Sequence, residues 1–320
     1  MNTIHSDNQA IKDNTSFVRK AMPALGMGVD AIQQDQSRQR CDNILEWISS
    51  TDFPAQQSDF IARRQDGTGL WFLNSPEFTK WIHGSNQTLF CPGIPGAGKT
   101  IMAATTIDHL LGTVQSNTVG VAYIYCNYKA TTDQNTTSLL AAILKQLVQA
   151  RPAIAEPVTR LYNHHANRTR PSLEETLSAL QSVLTNYSSV YVVVDALDEC
   201  QEKDGTRSQL LAKLRDLQRK ADVRLMVTSR FIPDIENEFR LMPRLEIRAS
   251  DADVERFVMG QMYRLPKCVQ RDNELQRFVQ DKIVEAVDGM SVFRTPFPST
   301  VNLRPRQVSS CPSSCGFASR

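Results

Sequence analysis

A chain of 320 residues, 41% of them hydrophobic, is long enough for one large or two ordinary domains with a sizeable core. Its net charge of +2 comes from interspersed acids and bases, with no lysine- or arginine-rich block to track a nucleic-acid backbone, so nucleic acid is not an expected partner. No apolar run approaches the roughly 20 residues that span a bilayer, the polar start MNTIHSDNQAIKDNTS lacks a secretory apolar region, and seven scattered cysteines read as reduced thiols; the expectation is a cytoplasmic protein with no membrane partner.

Residues 1–40 are polar and weakly patterned, apart from an amphipathic stretch near Phe17–Leu25, and read as an N-terminal linker or remnant. Residues 41–86 read as a helical lead-in: CDNILEWISS supplies Ile44, Leu45, Trp47 and Ile48 to one apolar side, and a Gly-Thr-Gly turn leads through LWFL into a helix from Ser75 to about Ile82. From 87 to 250 five short apolar segments alternate with helical ones. The strand candidates are 87–91, 119–126, 189–195, 223–229 and 244–248; the helical stretches are IMAATTIDHLL, TTSLLAAILKQLVQA, SLEETLSALQSVLTNY and RSQLLAKLRDLQRK. Ser172 and Glu175 fit a capping box at the start of the third of these. Such alternation predicts an α/β fold with a parallel sheet covered on both faces. Two more helices follow in 251–290, a partial helical subdomain, the second closed by Gly289. Residues 291–320 have no acidic residue and no period, are rich in Ser, Pro and Arg, and read as a disordered tail. Cys311 and Cys315 in that tail lack a second Cys or His pair to complete a zinc site.

Three motifs carry chemistry. Gly93, Ile94, Pro95, Gly96, Ala97, Gly98, Lys99 and Thr100 match G-x-x-x-x-G-K-[ST], the Walker A pattern, between a strand and a helix. Glycines there let successive N–H groups turn toward a phosphate, Lys99 reaches the β- and γ-oxygens, and the Thr100 hydroxyl ligates Mg²⁺. In YVVVDALDE an apolar strand ends on Asp195, the Walker B position for holding Mg²⁺, and Asp198 and Glu199 follow within one turn, close enough to polarise an attacking water. In LMVTSR another apolar strand ends on Thr228, Ser229 and Arg230, any of which could sense a γ-phosphate; a guanidinium pairs with phosphate oxygens through two N–H groups. Adjacent His164 and His165 read as part of a polar loop in preference to a metal site, and alternating Tyr123 and Tyr125 as sheet packing in preference to a base-stacking platform.

With these residues in place the chain resembles the NACHT family of STAND-class P-loop NTPases, in particular the fungal group related to heterokaryon-incompatibility and innate-immunity receptors. The likeness covers about residues 41–290 and rests on RRQDGTGLWFLNSPEFTKWI, CPGIPGAGKT, VYVVVDALDEC and RLMVTSR. It is specific chiefly because the small Ala196 follows the magnesium aspartate and an acidic pair comes two positions later. The resemblance implies a P-loop NTPase with a five-stranded parallel sheet of order 2-3-4-1-5, flanked by helices, plus a small C-terminal helical subdomain. It further implies ATP or GTP bound with Mg²⁺, a receptor closed with the diphosphate and assembling with the triphosphate, and self-association or association with longer relatives. By the same resemblance Asp198 and Glu199 are the hydrolytic acids, Arg230 is the sensor, and the Gly67–Trp71 turn helps hold the base. Relatives continue into a winged helix and often ankyrin or WD repeats, whereas here the likeness stops at Met290. Two functions therefore stand: a slow NTPase acting as a conformational switch in a receptor of the NLR type, and a truncated, non-hydrolysing interaction module or decoy that binds longer relatives.

Overall fold

The computed structural model describes residues 35–113, 116–130, 134–165, 169–202, 204–248 and 250–287. The N-terminal stretch near Phe17–Leu25, Gly289, Cys311, Cys315 and the Ser/Pro/Arg-rich tail lie outside the described residues. Four strands form one parallel sheet: β1 (Thr88–Pro92), β2 (Val119–Tyr125), β3 (Ser189–Asp195) and β4 (Val223–Ser229). Every residue of β1 and β3 is buried, and β2 and β4 each have one half-buried residue, Val119 and Arg224. Such unbroken apolar runs are what a parallel sheet covered on both faces requires.

The helices are α1 (35–48), α2 (Phe53–Ala62), α3 (Leu70–Leu73), α4 (Pro76–His83), α5 (Lys99–Thr113), α6 (Thr136–Ala150), α7 (Glu156–His165), α8 (Leu173–Leu184), α9 (Thr206–Gln218), α10 (Pro233–Glu238), α11 (Asp251–Gln261), α12 (Lys267–Gln270) and α13 (Asn273–Val287). The sheet order is β1-β4-β3-β2. The chain crosses from β1 to the far edge at β2 and then steps back, so right-handed crossovers place α5 on one face and the α6–α8 and α9 connections on the other. Accordingly α2 packs on α5, while α6 packs on α8 and α9. The capping box at Ser172 and Glu175 is present and starts α8. Ser75 caps α4, whose Trp81 is buried and donates its indole N–H to Leu225 O of β4 at 3.0 Å.

The expected fifth strand at residues 244–248 is a correction. That segment does run beside β1: Phe90 N donates to Pro243 O, Leu245 N to Phe90 O and Ile247 N to Pro92 O, at 2.9, 2.9 and 2.7 Å. The next rung would need the N–H of Pro92 to reach Leu245 O, and proline has none. The pairing therefore stops at a single parallel bridge between Phe90 and Arg244, and the sheet has four strands among the described residues, not five in the order 2-3-4-1-5. At the opposite edge Gln146 of α6 bonds both the N–H and the C=O of Tyr123, at 3.1 and 2.8 Å, which blocks further pairing of β2.

Helices α11–α13 carry their own small apolar cluster, Val254 and Val258 with Met262, Ile283 and Val284 against them. No helix among the described residues is long and apolar enough to cross a membrane.

Candidate nucleotide site

The loop between β1 and α5 is shaped by its glycines. Gly96 and Gly98 have φ of 83° and 86°, a left-handed conformation that side chains with a Cβ rarely adopt. Gly93 is needed for a different reason: a Cβ there would lie 2.6 Å from Ile247 O of the segment beside β1. Its N–H donates to Ser229 O at 3.0 Å, tying the loop to the tip of β4. Lys99 opens α5 and turns back across the loop, donating to Gly93 O and Ile94 O, both at 2.9 Å. The loop thus sits at the N-terminus of a 15-residue helix, where the helix dipole favours an anion.

Asp195 ends β3 and is 3% exposed. Burial pushes its carboxyl up, against the pull of hydrogen bonds from Thr228 and Thr100 and the charge of Lys99. The Thr228 hydroxyl donates to Asp195 Oδ1 at 2.6 Å and accepts from Ala196 N at 2.9 Å. Ala196 itself has φ 54° and ψ 47°, a left-handed residue that swings Leu197–Glu199 back over the end of the sheet. A β-branched residue there would be badly strained, which supplies the physical reason for a small residue after the aspartate. Asp198, whose side chain is only 2% exposed, accepts from Arg230 Nε at 2.5 Å and from Arg230 N at 3.0 Å. That ion pair raises the Arg230 pKa through its hydrogen bond and charge.

These elements enclose one cleft of about 440 Å³. Of the sequence-selected residues, Pro95, Gly96, Gly98, Lys99, Thr100, Asp195, Asp198, Glu199 and Arg230 line it, whereas Gly93, Ile94 and Ala97 do not and serve as the backing of the loop. Among the three γ-phosphate sensor candidates, only Arg230 reaches the cleft. Thr228 and Ser229 are fully buried, and they hold Asp195 and Gly93 respectively.

Sequence reasoning missed the other wall, formed by Gln56 and Phe60 of α2, by Arg63 just after it, and by Tyr125 at the end of β2 with the following residues to Lys129. The second group had a signal, because ligands of open α/β sheets bind at the carboxyl ends of strands. Tyr123 and Tyr125 do pack in the sheet, and Tyr125 also packs on Phe60 with ring centroids 4.8 Å apart. The Gly67–Trp71 turn does not line the cleft. Gly69 N donates to Asp253 Oδ2 of α11 at 3.0 Å, and Arg256 donates to Gly67 O, so the turn is tied to the helical subdomain. His164 and His165 likewise lie in the last turn of α7, not in a loop.

The family described as nephrocystin 3, N-terminal, matches residues 67–230. The vegetative incompatibility protein HET-E-1 of Podospora anserina is 25% identical over 232 residues, which take in 68% of this chain and 17% of that protein, so the chain spans a small part of its curated relative. Solved structures to which the chain shows similarity include the Walker-type ATPase PABY2304 of Pyrococcus abyssi (TM-score 0.41, 12% identity, 67% of this chain and 62% of that one). Others are domain III of the replication initiation protein DnaA of Thermotoga maritima (0.38, 12%, 72% and 86%) and the ORC1 protein of Aeropyrum pernix in complex with DNA (0.38, 18%, 68% and 59%). The family match runs from the Gly67 turn through the phosphate loop and the DALDE strand to Arg230, just over half of the chain, so this protein belongs to the nephrocystin-3 N-terminal family and is a NACHT-like relative of a fungal incompatibility protein.

Proposed function

We propose that the chain is a NACHT-type nucleotide-binding module that takes ATP or GTP with Mg²⁺, hydrolyses it slowly, and works as a conformational switch within a longer receptor. The observation that carries this reading is the convergence of Gly96, Gly98, Lys99, Thr100, Asp195, Asp198, Glu199 and Arg230 on one cleft. The donor set fits the ion: Thr100 and Asp195 offer hard oxygens that line the same cleft, beside a loop that suits phosphate. When bound there, Mg²⁺ would neutralise charge on the β- and γ-phosphate oxygens.

The chain's own groups divide the remaining work. Lys99 exchanges its contacts with Gly93 O and Ile94 O for phosphate oxygens, a charge-assisted gain over neutral carbonyls. Asp198 is engaged by Arg230, which leaves Glu199 to orient and deprotonate the attacking water. Arg230 then has two alternative anionic partners, Asp198 and a γ-phosphate. Moving a two-state molecule from 1:99 to 99:1 needs a difference in affinity of about 5.5 kcal/mol, so this contact contributes to the switch together with further domains of the longer protein. Residues 41–86, 87–250 and 251–290 act in this reading as lead-in, nucleotide core and partial helical subdomain.

Nucleotide binding and phosphate release measured for the wild type, Lys99→Ala and Glu199→Gln test the assignment. Lys99→Ala abolishes binding, and Glu199→Gln binds but does not turn over. Equal binding by all three rejects these residue roles, and binding without turnover by the wild type favours the interaction module. That second reading has its own support, since the Asp198 carboxylate is already committed to Arg230.

A further inference from the structure

Away from the cleft, the α7–α8 hairpin brings His164, His165 and Glu175 together, with one ligand atom of each within 4.8 Å of the other two. Two of the three are already oriented by their outer contacts. His165 Nδ1 lies 2.7 Å from the Thr169 hydroxyl, and its Nε2 faces Glu175 Oε1 at 3.1 Å. Glu175 Oε2 is held by the Ser172 N–H and hydroxyl, both at 2.8 Å, so Oε1 is the oxygen turned toward the histidines. The His165 side chain is 13% exposed and stands against the ring of Trp47, 5.8 Å between centroids. Trp47 is fixed in turn by its indole N–H on Thr169 O.

Histidines that bind metals through one ring nitrogen characteristically anchor the other, and ligating carboxylates are themselves hydrogen-bonded. His165 and Glu175 both show that arrangement. Two imidazoles and one carboxylate suit a borderline transition ion and leave the fourth tetrahedral position to water. With metal–ligand distances near 2.0–2.1 Å, ligand atoms stand about 3.3 Å apart, so closing the site requires only that the exposed His164 ring swing inward. We propose that His164, His165 and Glu175 bind a divalent transition-metal ion of the Zn²⁺ class, which staples the end of α7 to the start of α8.

Calorimetric titration of the full chain with ZnCl₂, free of nucleotide and magnesium, tests this. One ion binds per chain, and affinity falls in His164→Ala and in Glu175→Gln by more than the about 10- to 100-fold that loss of an outer hydrogen-bond partner alone causes. Because His164 is exposed, its replacement leaves the fold intact, which circular dichroism checks. Asp195→Asn keeps the Zn²⁺ site, separating it from the nucleotide cleft. Co²⁺ in place of Zn²⁺ gives visible d–d bands without the near-ultraviolet thiolate band, which separates the site from the neighbouring buried thiols of Cys126, just after β2, and Cys200, just after Glu199. No Zn²⁺ binding by the wild type, a thiolate band with Co²⁺, or undiminished affinity in both variants overturns the proposal.

Discussion

Arg230 and Asp198 meet as an exposed cation and a nearly buried anion, and that asymmetry decides what each mutation does. Removing the guanidinium leaves a carboxylate with 2% exposure to be satisfied by the Arg230 backbone N–H alone. Arg230→Ala therefore destabilises the chain by about 1–3 kcal/mol, and adding Asp198→Asn recovers most of that loss, because an amide tolerates the missing charge. Urea denaturation of the two singles and the double measures the coupling; strictly additive losses would count against the pair. Gly93 makes a second residue-scale case. Its substitution by Ala drives a Cβ to 2.6 Å from a main-chain oxygen that is itself bonded through Ile247 to β1, so the loop or the neighbouring segment must shift. The expected cost is about 1–3 kcal/mol, with weaker nucleotide binding in the same variant. The glycine motif was readable in the sequence, but the reason for its first glycine was not, since Ile247 lies more than 150 residues away in the chain.

At the scale of elements, strands and helices with strong apolar periods were legible, and those whose inner face is polar were not. Helix α2 buries Phe53 and Gln57, and Gln57 is satisfied there by donating to Ala104 O at 2.9 Å and accepting from the Tyr125 hydroxyl. A pattern of apolar and polar residues cannot announce such a helix, and with α2 went one wall of the cleft. Helix α7, with only Val158 buried, was illegible for the same reason. The turn before β1 shows how elements are held in register. Asp222 accepts from Asn86 N, the Ser85 hydroxyl and Arg224 Nη2, at 2.6, 3.0 and 2.9 Å, and so fastens the α4–β1 turn, including left-handed Asn86, to the start of β4. Burial pushes the Asp222 carboxyl up, but the Arg224, Asn86 and Ser85 bonds outweigh it and hold the pKa below 3.8. The unfolded chain then takes up the proton more readily, so this stabilisation is complete above the ordinary carboxylate pKa and is lost as pH falls through the folded value. Asp222→Ala should cost about 2 kcal/mol near neutrality, with the gap from wild type closing below about pH 4. Urea midpoints across that range measure it, and a gap that widens with acid would refute the sign.

Over the whole molecule, the sheet and its crossovers were foreseeable because parallel strands buried on both faces leave unbroken apolar runs, whereas the place where the helical subdomain docks was not. Helices α11–α13 have a separate apolar cluster, so their attachment depends on specific polar contacts with the lead-in. Asp253 provides the central one: its side chain is 5% exposed, accepts from Gly69 N at 3.0 Å, and lies 3.6 Å from Arg256, which in turn donates to Gly67 O. Gly69 is left-handed, and its N–H is buried at that contact, so losing the carboxylate strands a donor. Asp253→Ala is thus expected to open the subdomain locally while leaving the sheet closed. In native-state hydrogen exchange, amides of α11 and of the 67–69 turn should exchange about tenfold faster or more, and those of β3 and β4 at the wild-type rate. Uniform acceleration would mean that core and subdomain unfold as one unit, and the contacts of the 67–69 turn with Asp253 and Arg256 would then not be what holds α11 in place.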